Sequence, residues 1–399
     1  MRLSGSGYAP AATTRTRWPG EALGVLLGEV GIYSRIADDT GMSTMPWLES
    51  ISVAEAFTIA AANRASDLAA IEGEALRIVV GGKHRLVEGS VLSAGSIFAY
   101  VGAREAHGDS RSAKILARDG SADFDDAEHG GRVHVYRTSR GLALAARLLP
   151  DEPPRFENLG LPPALGDLTA LGSGLILICG PMGAGKSTAL HAMVDRINRE
   201  GSRGILTLER PIEYHHHPIG GTWLAQQEVG RDIPDYGRGV RSAMRANVGV
   251  IAIGEVQEAE EAAATLDVAE KGPLVIATTH ARNAAQAVES YLSFFDGDDA
   301  ARRRLQFANA GVAIIALRLI PRLGGRPGEV VPAYEFLRLS KIRHLIREGK
   351  FSDIRAHIAA GRAEGMVTLE ACLNDLVAAK TIRAEDARRA AVFPDEIKG

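Results

Sequence analysis

Cysteine is almost missing from this chain, and the two that occur, Cys179 and Cys372, lie far apart with no CxxC spacing. That excludes a disulfide framework and a four-cysteine zinc site, and it suits a reducing compartment. An excess of charge is missing too, since 46 Lys+Arg against 49 Asp+Glu leave a formal charge of -3. Binding to a phosphate backbone normally shows itself as a basic stripe, so no direct nucleic-acid binding is expected. Long apolar runs are absent as well. Arg2 is followed by small and polar residues from Ser4 to Thr14 rather than the roughly 7–15 apolar residues of a signal peptide, so export is not expected. The most apolar later stretch, Gly311 to Ile320, is interrupted by Arg318 and falls short of the roughly 18 residues a membrane span needs. No transmembrane segment is expected, and any membrane association must go through partners.

What remains is the balance of a soluble globular protein: 46% apolar and 24% charged residues over 399 positions, enough for two domains and a tail. Residues 1–44 carry few apolar positions in period and read as a loosely ordered extension. From 45 to 150 the pattern predicts a small α+β domain. It has a helix over Val53 to Arg64, then strands Leu76 to Val80 and His84 to Val87 around a Gly81-Gly82 turn, then strands Arg132 to Tyr136 and Leu142 to Leu149. Pro150, Pro153, Pro154, Pro162 and Pro163 mark residues 151–170 as a linker without regular structure.

Over 171–340 continuous apolar runs alternate with helical stretches. Leu175 to Cys179, Gly204 to Leu208, Val250 to Ile253 and Leu274 to Thr278 suit parallel strands covered on both faces, with Ser187 to Arg199, Arg238 to Arg245 and Glu258 to Glu270 as crossover helices. The second domain is therefore expected to be a doubly wound α/β sheet. Beyond it, Leu317 to Pro321 and Val330 to Phe336 flank the turn Gly324-Gly325-Arg326-Pro327-Gly328 as a hairpin. A helical region follows over 341–399, one helix opening on a capping Thr368.

The chemistry concentrates in Gly180-Pro181-Met182-Gly183-Ala184-Gly185-Lys186-Ser187, continuing into Thr188. This is G-x-x-x-x-G-K-[ST] placed between an apolar strand and a helix. Glycines let successive amides wrap a phosphate, the helix N-terminus favours negative charge, Lys186 meets the β/γ-phosphates and Ser187 ligates Mg²⁺. ATP and Mg²⁺ are the expected ligands. Glu255 ends the run Val250 to Gly254 at the carboxyl edge of the sheet, from a strand expected beside the P-loop strand, where a carboxylate can act as base toward water. His280 ends the next run and faces the same crevice, while Glu209, and less directly Glu213, follow a third strand within reach of Mg²⁺ or its waters. His215-His216-His217 cannot all face one ion and reads as a solvated loop. Arg132, Arg140 and Arg147 sit on the small domain, where cross-strand charge pairing is the plain alternative to a ligand role.

Taken in order, these motifs resemble the type II/type IV secretion ATPases (the GspE/PilT superfamily), most closely the PilT/DotB-like branch. The likeness rests on several segments: Ala65-Ser-Asp-Leu68 for the N-terminal opening, Thr207 to Tyr214 for the aspartate box, Ile251 to Glu255 for an atypical Walker B, Ala277 to His280 for the histidine box, and Lys341 to Glu348 for a helix needed in retraction. The bottom-up reading of Lys341 to Glu348 is an amphipathic helix with Ile342, Leu345 and Ile346 inward. The resemblance implies a PAS-like first domain, a RecA-like P-loop NTPase domain, C-terminal helices and a homo-hexamer. It also implies an inner-membrane platform protein as partner, reached from the cytoplasmic side. Arg132 and Arg147 then match arginines that reach the nucleotide phosphates, with Arg140 between them. The chain departs from the pattern at Arg210 where the family carries Asp, at Val256-Gln257-Glu258 where Met-Arg-Asp is usual, at Pro273 where His is common, and at Ala69 in place of another His. A ring subunit that binds ATP and hydrolyses it weakly is the alternative those departures leave open.

Overall fold

The computed structural model describes residues 49–80, 83–106, 112–126, 129–148, 152–326 and 328–399. The expected extension over 1–44, the Gly81-Gly82 turn, Leu149, Pro150 and Pro327 lie outside the described residues. The chain divides into two compact units, the first ending at Arg147 and the second running from Leu148 to Gly399 together with Asp125–Arg132.

Short alternating runs build the first sheet. Its strands are β1 (Glu49–Ile51), β2 (Asp67–Ile71), β3 (Ala75–Val80), β4 (Lys83–Leu92), β5 (Ser121–Asp126), β6 (Gly131–Thr138) and β7 (Gly141–Leu148), in the order β1-β4-β3-β2-β7-β6-β5. Val80 opposite Lys83 makes β3 and β4 the antiparallel hairpin that the sequence indicates. Helix α1 (Val53–Ala62) starts at a reciprocal capping box: the Glu55 N–H donates to Ser52 Oγ at 3.2 Å and the Ser52 N–H to Glu55 Oε2 at 2.7 Å. With α2 (Ala94–Ala106) and α3 (Ser112–Asp119), this sheet has the expected α+β character.

The proline-rich stretch departs from expectation. Instead of lacking regular structure it forms the helical turn α4 (Pro163–Gly166), because Pro163 occupies the first turn, where a missing N–H breaks no hydrogen bond.

The second sheet holds β8 (Gly174–Cys179), β9 (Ile205–Glu209), β10 (Leu224–Glu228), β11 (Val250–Ile253), β12 (Leu274–Thr279), β13 (Gly311–Pro321) and β14 (Val330–Arg338), in the order β10-β9-β11-β12-β8-β13-β14. All neighbours are parallel except β13 and β14. Helices α5 (Lys186–Glu200), α6 (Tyr236–Ala243), α7 (Ala259–Ala269), α8 (Ala284–Leu292) and α9 (Gly297–Ala310) complete this α/β layer structure. The apolar run in β8 shows why it is central: Leu175, Leu177 and Cys179 belong to one buried cluster, while Ile176 and Ile178 belong to the cluster on the opposite face. Each fully buried aliphatic side chain there contributes about 1.5–3 kcal/mol.

Two expectations change, and one further strand joins the sheet. The strand leading to Glu255, β11, is not beside the P-loop strand; β12 lies between β11 and β8. The hairpin β13–β14 is not an appendage, since β13 starts at Gly311 and pairs in parallel with β8. Strand β10, Leu-Ala-Gln-Gln-Glu, is an edge strand that apolar periodicity does not reveal. The C-terminal helices are α10 (Arg343–Glu348), α11 (Ile354–Ala360), α12 (Leu369–Ala378) and α13 (Ala384–Ala390). Ile342, Leu345 and Ile346 are buried as expected, and Thr368 Oγ1 accepts from the Ala371 N–H at 3.3 Å to cap α12. Among the described residues no helix is long and apolar enough to cross a membrane.

Candidate functional site

The loop between β8 and α5 is shaped by what its glycines permit. Gly185 sits at φ +88° as the residue before α5, a left-handed conformation that disfavours a Cβ. Gly180 is fixed by close approach, because a Cβ there would lie 2.8 Å from both Ala184 Cβ and the Leu317 carbonyl oxygen. No side chain among the described residues caps α5, so its first N–H groups and the dipole face the loop, the arrangement that receives a phosphate.

Lys186 folds back on this loop. Its Nζ donates to Gly180 O at 3.1 Å and Pro181 O at 3.4 Å, and meets His280 Nδ1 at 3.3 Å. Partial burial holds its pKa below the usual lysine value, opposed by the nearby Glu255 charge. His280, half-exposed at the end of β12, reaches Glu255 Oε1 with its Nε2 at 2.5 Å. The structure thus joins Lys186, His280 and Glu255 in one chain at the carboxyl edge of the sheet.

Glu255 is held there by its flanks. The Gly254 N–H donates to Leu208 O of β9 at 2.8 Å, and the Val256 N–H donates to Thr278 O of β12 at 2.9 Å. Gln257, two residues on, donates from Nε2 to Glu255 Oε2. Gln257 stands out in the sequence as a departure from the family pattern, and its i+2 spacing from Glu255 is the signal of this contact.

The two acidic candidates after β9 separate. Glu213 is exposed, and its Oε1 accepts from Ser187 Oγ at 3.2 Å. Glu209 is buried instead, with Oε2 at 3.1 Å from His191 Nε2 and Oε1 accepting from Thr207 Oγ1 at 2.5 Å and Gln226 Nε2 at 3.1 Å. Burial pushes its carboxyl upward, but these donors prevail and hold it below the usual carboxylate range. Glu213, not Glu209, stands at Ser187. A hydroxyl and a carboxylate at the mouth of a phosphate loop are the hard oxygen donors that Mg²⁺ requires, so the residues present fit a magnesium nucleotide.

The histidine triplet is not uniformly solvated. His216 is 6% exposed, and its Nε2 lies 2.9 Å from His191 Nδ1 in a stacked pair with centroids 5.2 Å apart. Burial, aided by His191, His215 and His217 against the pull of Glu209, depresses its pKa to about 3. The loop reading fails at this position because His191, a residue of α5, offers a buried polar partner that sequence spacing does not expose.

The basic candidates lie on the first sheet. Arg132 is exposed on β6, on the side away from buried Val133 and Val135. Arg140 pairs with Glu74, and Arg147 Nε donates to Asp67 Oδ1 at 3.0 Å from the directly opposite position on β2. Arg210 does not enter the P-loop cluster; its guanidinium lies over the Tyr236 ring at 5.2 Å.

The type II/IV secretion system protein family matches residues 140–385. The chain is 34% identical over 264 residues to a type IV pilus retractation ATPase PilT of Pseudomonas aeruginosa, covering 66% of this chain and 76% of that relative. It superposes on the crystal structure of the pilus retraction motor PilT with bound ADP at a TM-score of 0.77 and 29% identity, covering 87% of this chain and 98% of that one. The Legionella pneumophila ATPase DotB shares the fold at a TM-score of 0.71 and 20% identity, covering 84% and 94%.

Proposed function

The chain belongs to the type II/IV secretion system protein family, and from that premise we propose that it is an ATPase of the PilT-like branch that powers a type IV pilus or secretion machine. The observation that carries this reading is the chain Lys186–His280–Glu255 set against the glycine loop and the N-terminus of α5. The loop amides and Lys186 hold the β- and γ-phosphates, and nucleotide binding draws the Lys186 ammonium away from the Gly180 and Pro181 carbonyls. Glu255 orients the attacking water and takes its proton, while His280 holds the carboxylate in place and lies close enough to Lys186 to register the terminal phosphate. Ser187 and Glu213 would hold Mg²⁺, which would supply positive charge to offset that of the transferred group.

In this reading the chain works as a homo-hexamer, with Arg132, Arg140 and Arg147 supplying positive charge to the nucleotide. Interdomain motion over the ATP cycle moves a membrane platform protein from the cytoplasmic side. The Gln257 hydrogen bond to Glu255 favours the slower alternative, a ring subunit with weak turnover.

Steady-state turnover of the purified chain against protein concentration, paired with native mass spectrometry, tests the proposal. Hexamer-dependent hydrolysis is expected, with nucleotide binding lost in Lys186→Ala. A monomer with concentration-independent activity would overturn the motor reading, and wild-type binding without hydrolysis would favour the accessory subunit.

A further inference from the structure

We propose that His191 is a positioning residue that sets the Glu213 carboxylate against Ser187 through a closed ring of hydrogen bonds, an inference that rests on the ATPase reading and deepens it. Ser187 and His191 are four residues apart on α5 and so share one face of the helix. From His191 Nε2 the path runs 3.1 Å to Glu209 Oε2, and that same oxygen accepts the Glu213 N–H at 3.3 Å. It returns to the helix where Glu213 Oε1 accepts from Ser187 Oγ at 3.2 Å. One turn of α5 is thereby tied to the residue that completes the metal donors.

The ring is buried at the His191 end, where the His191 and Glu209 side chains are only 2% and 3% exposed. Gln226 braces it from β10: Nε2 donates to Glu209 Oε1 at 3.1 Å and to Tyr214 O at 2.9 Å, and Oε1 accepts the His216 N–H at 2.8 Å. Further along α5, Asn198 holds the far end of the same loop, donating to His217 O at 2.8 Å and accepting the Ile219 N–H at 3.1 Å.

The proton directions follow from chemistry. A carboxylate only accepts, so His191 Nε2 carries the N–H toward Glu209. His191 Nδ1 then accepts from His216 Nε2, which leaves the unpartnered buried His216 Nδ1 as a bare lone pair rather than an orphaned N–H. Buried orphan donors are the rarer and costlier case. Glu213 itself is exposed, so its carboxylate has rotamer freedom, which among the described residues the pinned N–H and the Ser187 contact restrict. Removing His191 leaves Glu209 two donors on its other oxygen, so its charge stays partly satisfied while the oxygen that holds Glu213 loses one of its two.

The test uses the full chain and a fluorescent ATP analogue titrated in magnesium and in EDTA. In wild type the affinity is higher in magnesium. His191→Met lowers that magnesium-to-EDTA ratio by about tenfold with EDTA affinity unchanged. His191→Gln, which keeps a donor at similar reach, restores most of it, and His191→Met adds nothing on a Glu213→Ala background. An unchanged ratio in His191→Met, a Gln variant as poor as Met, or additive losses in the double variant would overturn the inference. Should His191→Met not fold, His191→Asn, whose shorter amide falls short of Glu209 Oε2, carries the same test: a lowered ratio supports the ring, and an unchanged one sinks it. A wild type that shows no magnesium-dependent binding or turnover would instead defeat the ATPase reading itself.

Discussion

Substituting Phe for His216 removes a buried group whose protonation the folded chain resists. The ring is 6% exposed and its pKa is pushed down to about 3, against about 6.5 for an unperturbed histidine. Because the folded value is the lower one, the unfolded chain binds more protons between the two. His216 therefore leaves stability intact above pH about 6.5 and erodes it as pH falls from there toward about 3. Between pH about 6.5 and about 5.0, protonation of this single ring favours the unfolded state by about 1.6 kcal/mol. The groups facing it, His191, Glu209, His215 and His217, stay in both proteins, so their direct contributions largely cancel in the comparison. Urea unfolding followed by far-UV circular dichroism at the two pH values gives the difference. Wild type should lose about 1.6 kcal/mol more than His216→Phe, even though the variant starts about 1–3 kcal/mol less stable from the acceptor orphaned on His191. Equal pH dependence would refute the burial argument and restore a solvated His216.

Gly180→Ala should weaken nucleotide binding and lower stability by about 1–3 kcal/mol, since its new Cβ would lie 2.8 Å from the Leu317 carbonyl oxygen; calorimetric titration and thermal unfolding check both. Glu335→Ala should destabilise by about 2 kcal/mol or more, because the buried carboxylate accepts the Ala284 N–H at 2.6 Å and the Leu369 N–H at 3.3 Å, tying α8 and α12 to β14. Glu335→Gln, which keeps one acceptor, should recover part of that loss in the same unfolding measurement.

How much was legible follows from the range of each interaction. Leu175 to Ser187 could be read because the buried strand, the turn and the helix start are local and each has its own residue pattern. Glu255 and His280 were legible as strand ends, but not the order of their strands, which depends on crossovers that no window of sequence contains; β12 carries His280 beside β8 and separates β11 from it. Strand β10 escaped because it is an edge strand on which Gln226 and Glu228 serve polar contacts rather than the core. The triplet at 215–217 looked like a solvated loop because nothing near it in sequence announces His191, 25 residues away, as its partner. Glu209 reads from the sequence as the more direct metal candidate of the two acids, but the tertiary fold buries it and presents Glu213 to Ser187.

The most direct test of the central claim is Glu255→Gln, with ATP binding and turnover measured side by side. The account predicts wild-type ATP affinity within about twofold, with turnover reduced by about 100-fold or more for loss of a positioned base. Turnover equal to wild type would contradict it, because hydrolysis would then proceed without the carboxylate that His280 and Gln257 hold at the edge of the sheet.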